Sequence, residues 1–221
     1  MCILIFKKYW IKDLPTHEEL KNCYEWNKDG IWVWIADGEK NYIYKYDSFE
    51  EFMKFYKTIE TYKNIKKLSI MLHFRYRTSG PINKQLNHPY LLSQRDDKIK
   101  NVWITQTPIV WHNGVLHMEE YKDNEKENDT MFFIKNYLSS PWIRKNLKDK
   151  WVKKLLENYI PSNKILVLYP NHKYIILNRE LWHYKNNLWY SNYNYLNTVK
   201  HYHFWENKTK TALKWLWGIS T

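Results

Sequence analysis

Ile31-Trp32-Val33-Trp34-Ile35-Ala36, then Asp37-Gly38, then Tyr42-Ile43-Tyr44-Lys45-Tyr46, then Ser48-Phe49-Glu50-Glu51 is the stretch that decides the fold class. Two β-branched and aromatic runs flank an Asp-Gly pair. Such a pair is a hairpin signature, because tight turns need positive φ and Gly adopts it without steric cost. Ser48 and Glu51 then stand at capping-box spacing, and Phe49, Phe52, Met53, Tyr56 and Ile59 recur every three or four residues. This is the apolar stripe of an amphipathic helix over 48–63. Hairpin followed by helix, without strict strand–helix–strand alternation, points to an α+β domain with largely antiparallel sheet.

Reading outward gives the same mixture. Cys2 to Phe6 is a short apolar run that reads as a buried strand. Thr16-His17-Glu18-Glu19 is a capping box for one helical turn. Leu68 to Phe74 reads as a strand, Thr78 to His88 with Gly80 and Pro81 as a structured loop, and Val102–Thr105 and Pro108–Trp111 as short strands. Asn128 or Asp129 caps a helix to about Leu138. Pro141 to Tyr159 reads as one helix, with Pro in its first turn and Leu147, Trp151, Leu155 and Leu156 on one side. Ile165–Tyr169 and Tyr174–Leu177 form strand–turn–strand across residues 170–173. The aromatic stretch from Trp182 to Trp217 shows no decisive period. The expected organisation is one domain over 1–221, with its core over about 2–195 and an aromatic, basic extension over 196–221.

Composition narrows the function classes. The 221 residues are 44% apolar and 18% aromatic, which excludes a disordered chain, and two Cys exclude a disulfide scaffold or Cys-rich zinc module. No stretch approaches the roughly 20 apolar residues that cross a bilayer, and Met1 to Lys12 lacks the order of a signal peptide. The expectation is a soluble cytoplasmic protein without a membrane partner. Lys and Arg total 35 against 23 Asp and Glu, a formal charge of +12. Scattered lysines on a solvated surface account for that charge; a polyanionic partner such as nucleic acid is the sharper reading. His183, His201 and His203, with Trp205, lie together in sequence, but no acidic or Cys ligand stands at useful spacing, so neither metal nor cofactor is expected.

Cys2 carries the most chemistry. A small residue after Met1 favours removal of Met1, which leaves Cys2 with a free α-amine. Thiol nucleophile and amine base then share one residue, and an α-amine with a pKa near 8 suits base work close to neutrality. Equally, Cys2 reads as an apolar residue opening a strand. Further along come Arg75-Tyr76-Arg77-Thr78-Ser79-Gly80, His88-Pro89, His112-Asn113-Gly114 and Asn128-Asp129-Thr130. Taken singly, these read as a strand-end cation, a turn pair and a helix cap.

In that order, the five motifs resemble a class II glutamine amidotransferase domain of the N-terminal-nucleophile hydrolase superfamily. Asn27-Lys28-Asp29-Gly30 resembles the family's Asn-x-Asp-Gly turn, and Trp189-Tyr190-Ser191-Asn192 its late Trp-x-Ser-Asn segment. The resemblance covers about 2–195. It implies a four-layer αββα fold and roles by position. Cys2 is the nucleophile and its amine the base. The Asn113 side chain and Gly114 backbone N–H form the oxyanion hole. Arg75 grips the substrate α-carboxylate, Asp129 pairs with its α-ammonium, Tyr76, Thr78 and Ser79 line the substrate, and His88 shapes the loop. The substrate implied is glutamine or a related amide. No length remains for a second catalytic domain, so the expectation is that the ammonia goes to a synthase or ligase on another chain, or that the protein acts as a stand-alone amidohydrolase. The chain departs from the family in having Ile3 after the nucleophile where Gly is usual, Arg77 where a small residue is usual, and a short interval between Asn113 and Asp129. Two further functions stay open: a non-catalytic binding protein on the same fold, and a nucleic-acid module using the basic, aromatic C-terminal third.

Overall fold

The computed structural model describes residues 2–76, 89–94, 104–122 and 127–196. The loop expected over 78–88 and the segment from 197 onward lie outside the described residues. Two sheets stand among the described residues, and every strand pairing in them is antiparallel. The first holds β1 (Ile3–Lys7), β2 (Ile31–Ala36), β3 (Asn41–Tyr46), β4 (Ser69–Phe74), β6 (Ile104–Thr105), β10 (His183–Lys185) and β11 (Leu188–Tyr190), in the order β10-β11-β1-β4-β2-β3-β6. The second holds β5 (Tyr90–Leu91), β7 (Ile109–Asn113), β8 (Lys164–Leu168) and β9 (Tyr174–Leu177), in the order β5-β7-β8-β9. Five α-helices accompany them: α1 (His17–Trp26), α2 (Phe49–Glu60), α3 (Asp129–Phe133), α4 (Pro141–Asn146) and α5 (Lys150–Tyr159).

Side-chain alternation along the strands sends residues into three cores. Ile3 and Ile5 of β1 pack with Leu20 of α1 and with Phe52 and Tyr56 of α2. Leu4 and Phe6, on the opposite face, meet Ile109 and Trp111 of β7 and Leu166 and Leu168 of β8. The far side of the second sheet, through Val110, Ile165 and Val167, covers Phe133, Val152 and Leu156 from α3 and α5. β1 is buried along its whole length because both faces are covered. Each fully buried aliphatic chain there contributes about 1.5–3 kcal/mol. No helix among the described residues is long and apolar enough to cross a membrane.

The deciding hairpin forms as expected: β2 pairs β3 from Ile31↔Tyr46 to Ala36↔Asn41, and Gly38 in the turn has φ +111°. Ser48 accepts from the Glu51 N–H at 3.2 Å, which starts α2. At Thr16 both halves of the capping box are made, and α1 runs ten residues rather than the single turn expected. The helix expected over 141–159 is two helices. Asp149 has extended backbone (φ −64°, ψ 138°) and its carboxylate takes the Trp151 and Val152 N–H groups at 2.8 and 3.1 Å, so α5 starts afresh there. Asn128 is the cap of α3, accepting from the Met131 N–H at 2.8 Å; residues 134–138 continue as a π-helical turn. The undecided stretch after 182 begins with a hairpin, β10–β11, whose turn residues Asn186 and Asn187 both have positive φ.

Candidate active site

The pairing of β1 decides what surrounds Cys2. Ile3 faces Phe74 of β4 and Ile5 faces Tyr190 of β11, so the chain leaving β4 and the chain leaving β11 both arrive beside the residue that precedes β1. On the β4 side the Tyr76 N–H donates to Cys2 Sγ, and the thiol donates to the Tyr76 carbonyl, each at 3.4 Å. On the β11 side Ser191 exchanges two bonds with Leu4, its N–H donating to the Leu4 carbonyl at 2.9 Å and its Oγ accepting from the Leu4 N–H at 2.8 Å. Asn192 donates its side-chain amide to the Cys2 carbonyl at 2.6 Å.

The second sheet also reaches this point. Asn113, the last residue of β7, donates from Nδ2 to the Cys2 carbonyl at 2.8 Å and to Ser191 Oγ at 2.7 Å. An amide nitrogen carries two hydrogens, so both are engaged. The Cys2 carbonyl therefore takes one amide from each side of the gap between the sheets.

Arg75 is fixed through its backbone. Its N–H donates to the Gly30 carbonyl at 3.0 Å, and its carbonyl accepts from the Asp29 N–H at 3.1 Å. Gly30 has φ +126°, a conformation that suits Gly, which explains the Asp-Gly pair in Asn27-Lys28-Asp29-Gly30. The Arg75 side chain is half-buried, and none of the ion pairs among the described residues involves it.

Beyond Asn113 the chain turns at Gly114, with φ +151°. A Cβ there would stand 2.2 Å from Asn163 Oδ1 and 3.1 Å from His112 Nε2, so glycine is required on two grounds. His112 is buried, with Nε2 2.8 Å from Asn163 Oδ1 and Nδ1 2.7 Å from Thr130 Oγ1. Asp129 is anchored by the N–H groups of Leu116 at 2.8 Å and Thr130 at 2.6 Å. Its neighbour Asn128 donates to the hydroxyl of Tyr90, a fully buried phenol on β5.

The charges show how these groups converge. Burial pushes the Cys2 thiol above its ordinary pKa; the Tyr76 backbone bond and the Arg75 charge oppose this without cancelling it. Burial raises the Tyr90 phenol, which also feels Asp129, Arg75 and Cys2. Burial lowers His73 to about 3, aided by Arg75. His112 is also lowered by burial, against the pull of Asp129. Tyr90 thus feels the charges of Cys2, Arg75 and Asp129 together.

Of the residues expected at the site, Cys2, Tyr76 and Asn113 are in direct contact. Arg75 acts on the Cys2 thiol through its charge. Gly114 follows Asn113 in the chain, and Asp129 is tied to the loop after Gly114. Thr78, Ser79 and His88 lie outside the described residues, as do His201, His203 and Trp205. Among the described residues no group of three His, Cys, Asp or Glu side chains is arranged to hold a metal. Sequence reasoning quoted Ser191 and Asn192 without giving them a task; their position just past a strand that pairs with β1 is the signal for one. Tyr90 was missed, since a lone Tyr after His-Pro carries no motif. No protein-family model matches the chain, and no curated protein matches its sequence.

Proposed function

We propose that the chain is a glutamine amidotransferase-type amidohydrolase, with an αββα fold of the N-terminal-nucleophile hydrolase kind and Cys2 as nucleophile. The single observation that carries this reading is the convergence on Cys2 of segments far apart in sequence: 75–76, 113 and 191–192, each bonded to it or acting on its thiol. The two sheets packed face to face, with helices on their outer sides, support the fold assignment.

The chemistry runs as follows. A thiol whose pKa is raised is protonated near neutrality and needs a base to become a nucleophile. Once Met1 is removed, the α-amine of Cys2 supplies that base. Sulfur attacks the side-chain amide carbon, the amine takes the thiol proton and passes it to the departing nitrogen, and ammonia leaves. Water then splits the thioester to give glutamate. The Gly114 N–H is an oxyanion donor; such donors contribute about 2.7–4 kcal/mol each. Asn113 joins it by releasing the Ser191 hydroxyl while keeping the Cys2 carbonyl. Arg75 takes the α-carboxylate with its bidentate fork, and Asp129 takes the α-ammonium. The ammonia passes to a separate synthase or ligase.

The test is incubation of the native protein with a glutamine-analogue electrophile, with intact-mass measurement and mapping of the adduct. Loss of Met1, one adduct on Cys2, and ammonia release from glutamine are expected. Retained Met1, or an adduct elsewhere, overturns the reading.

A further inference from the structure

Helix α5 buries Val152 and Leu156 in the core, yet its apolar arc is wider than the core uses. Trp151, Leu155 and Tyr159, spaced four residues apart on one face, are 76%, 62% and 44% exposed. Trp142, on the preceding helix α4, is 62% exposed. A Trp and a Leu left so open on neighbouring turns cost solvation free energy and mark a surface that something covers.

The charges around them say what kind of partner that is. Six of the eleven residues from 144 to 154 are Lys or Arg: Arg144, Lys145, Lys148, Lys150, Lys153 and Lys154. The one acid in that window, Asp149, is occupied in capping α5. By helical spacing Lys150 and Lys154 run alongside the Trp151–Leu155 row on the flank away from the core. A second copy of this chain fits poorly, because a two-fold contact would set these cations against themselves. A lipid surface fits less well, because of the exposed apolar side chains on these two helices Leu155 alone is aliphatic and the others are rings.

We propose that the exposed face of α5 binds single-stranded nucleic acid, with Trp151 as a stacking platform and the flanking Lys150 and Lys154 on the phosphates. Flat aromatic rings interleaved with Lys and Arg meet both needs of an unpaired strand: a face for its bases and counter-charge for its backbone. This surface is independent of Cys2 and of the amidohydrolase reading.

The experiment is fluorescence anisotropy with labelled oligothymidylate and oligouridylate on the full chain, over a range of salt concentrations. Binding that weakens steeply as salt rises is expected. Trp151→Ala should weaken it about tenfold or more through lost stacking, and Lys150→Glu with Lys154→Glu at least as much through lost phosphate contacts. Both variants replace exposed side chains, so unchanged melting temperatures confirm that they fold. No binding at low salt, binding indifferent to both variants, or equally tight binding of duplex overturns the proposal. So does preferential binding to phosphatidylserine vesicles, or a dimer in sedimentation that Trp151→Ala dissolves.

Discussion

Asn113 ends β7 of the second sheet and Cys2 immediately precedes β1 of the first, 111 positions away, yet the Asn113 amide donates to the Cys2 carbonyl at 2.8 Å. The same nitrogen holds Ser191 Oγ at 2.7 Å. Asn113→Ala removes both bonds in a buried setting, so stability should fall by about 1–3 kcal/mol. Electrophile labelling of Cys2 should slow as well. Asn192→Ala should do less on both counts, because Asn113 still holds the carbonyl. Denaturant unfolding and labelling rates check this; equal effects from the two variants would show that the Asn113–Ser191 bond adds nothing.

Arg75→Lys keeps the charge and loses the fork. If the guanidinium receives a carboxylate in two parallel bonds, losing one of them weakens substrate binding by about 1.5–3 kcal/mol. The expected result is a KM higher by about 10- to 100-fold with little change in kcat. An unchanged KM removes Arg75 from the substrate site.

Gly114→Ala puts a methyl against Asn163 and His112 in a backbone conformation that side chains rarely adopt. The His112–Asn163 bond at 2.8 Å lies in its path. A loss of roughly 2 kcal/mol or more is expected, read as a lower melting temperature.

Acid should weaken the fold through His73. In the native state its pKa is about 3, against about 6.5 when exposed. The unfolded chain therefore binds the proton first. Stability is fully present above about pH 6.5 and is lost as pH falls toward 3, at up to about 1.4 kcal/mol per pH unit. His112 acts in the same direction. His73→Phe keeps a ring against Trp111, which His73 meets edge-on at 5.5 Å, and should flatten the pH dependence of unfolding. An unaltered slope would show that His73 is not the group responsible.

The strands that form the centre of the fold were legible because they are simple runs: Ile31–Ala36, Leu68–Phe74 and Ile165–Tyr169 show their character in composition alone. Helix α1 was underread because its apolar face is small; Leu20 and Cys23 are its buried apolar residues. The break before α5 was hidden because Asp149 acts through its side chain and leaves the apolar spacing nearly continuous. β10 and β11 were illegible as strands, yet the Asn186-Asn187 pair between them was a turn signal. At the site, residue types and chain order marked Cys2, Arg75, Asn113 and Asp129. Contacts between residues 111 or 190 positions apart, by contrast, follow from sheet register and have no local trace in the sequence.

Because Cys2 immediately precedes β1, a strand enclosed by neighbours on both edges, its sulfur is aimed by the portion of the molecule that opens last. Warming should then extinguish its reactivity together with the whole fold, with no lower-temperature stage in which an otherwise intact protein has already gone silent.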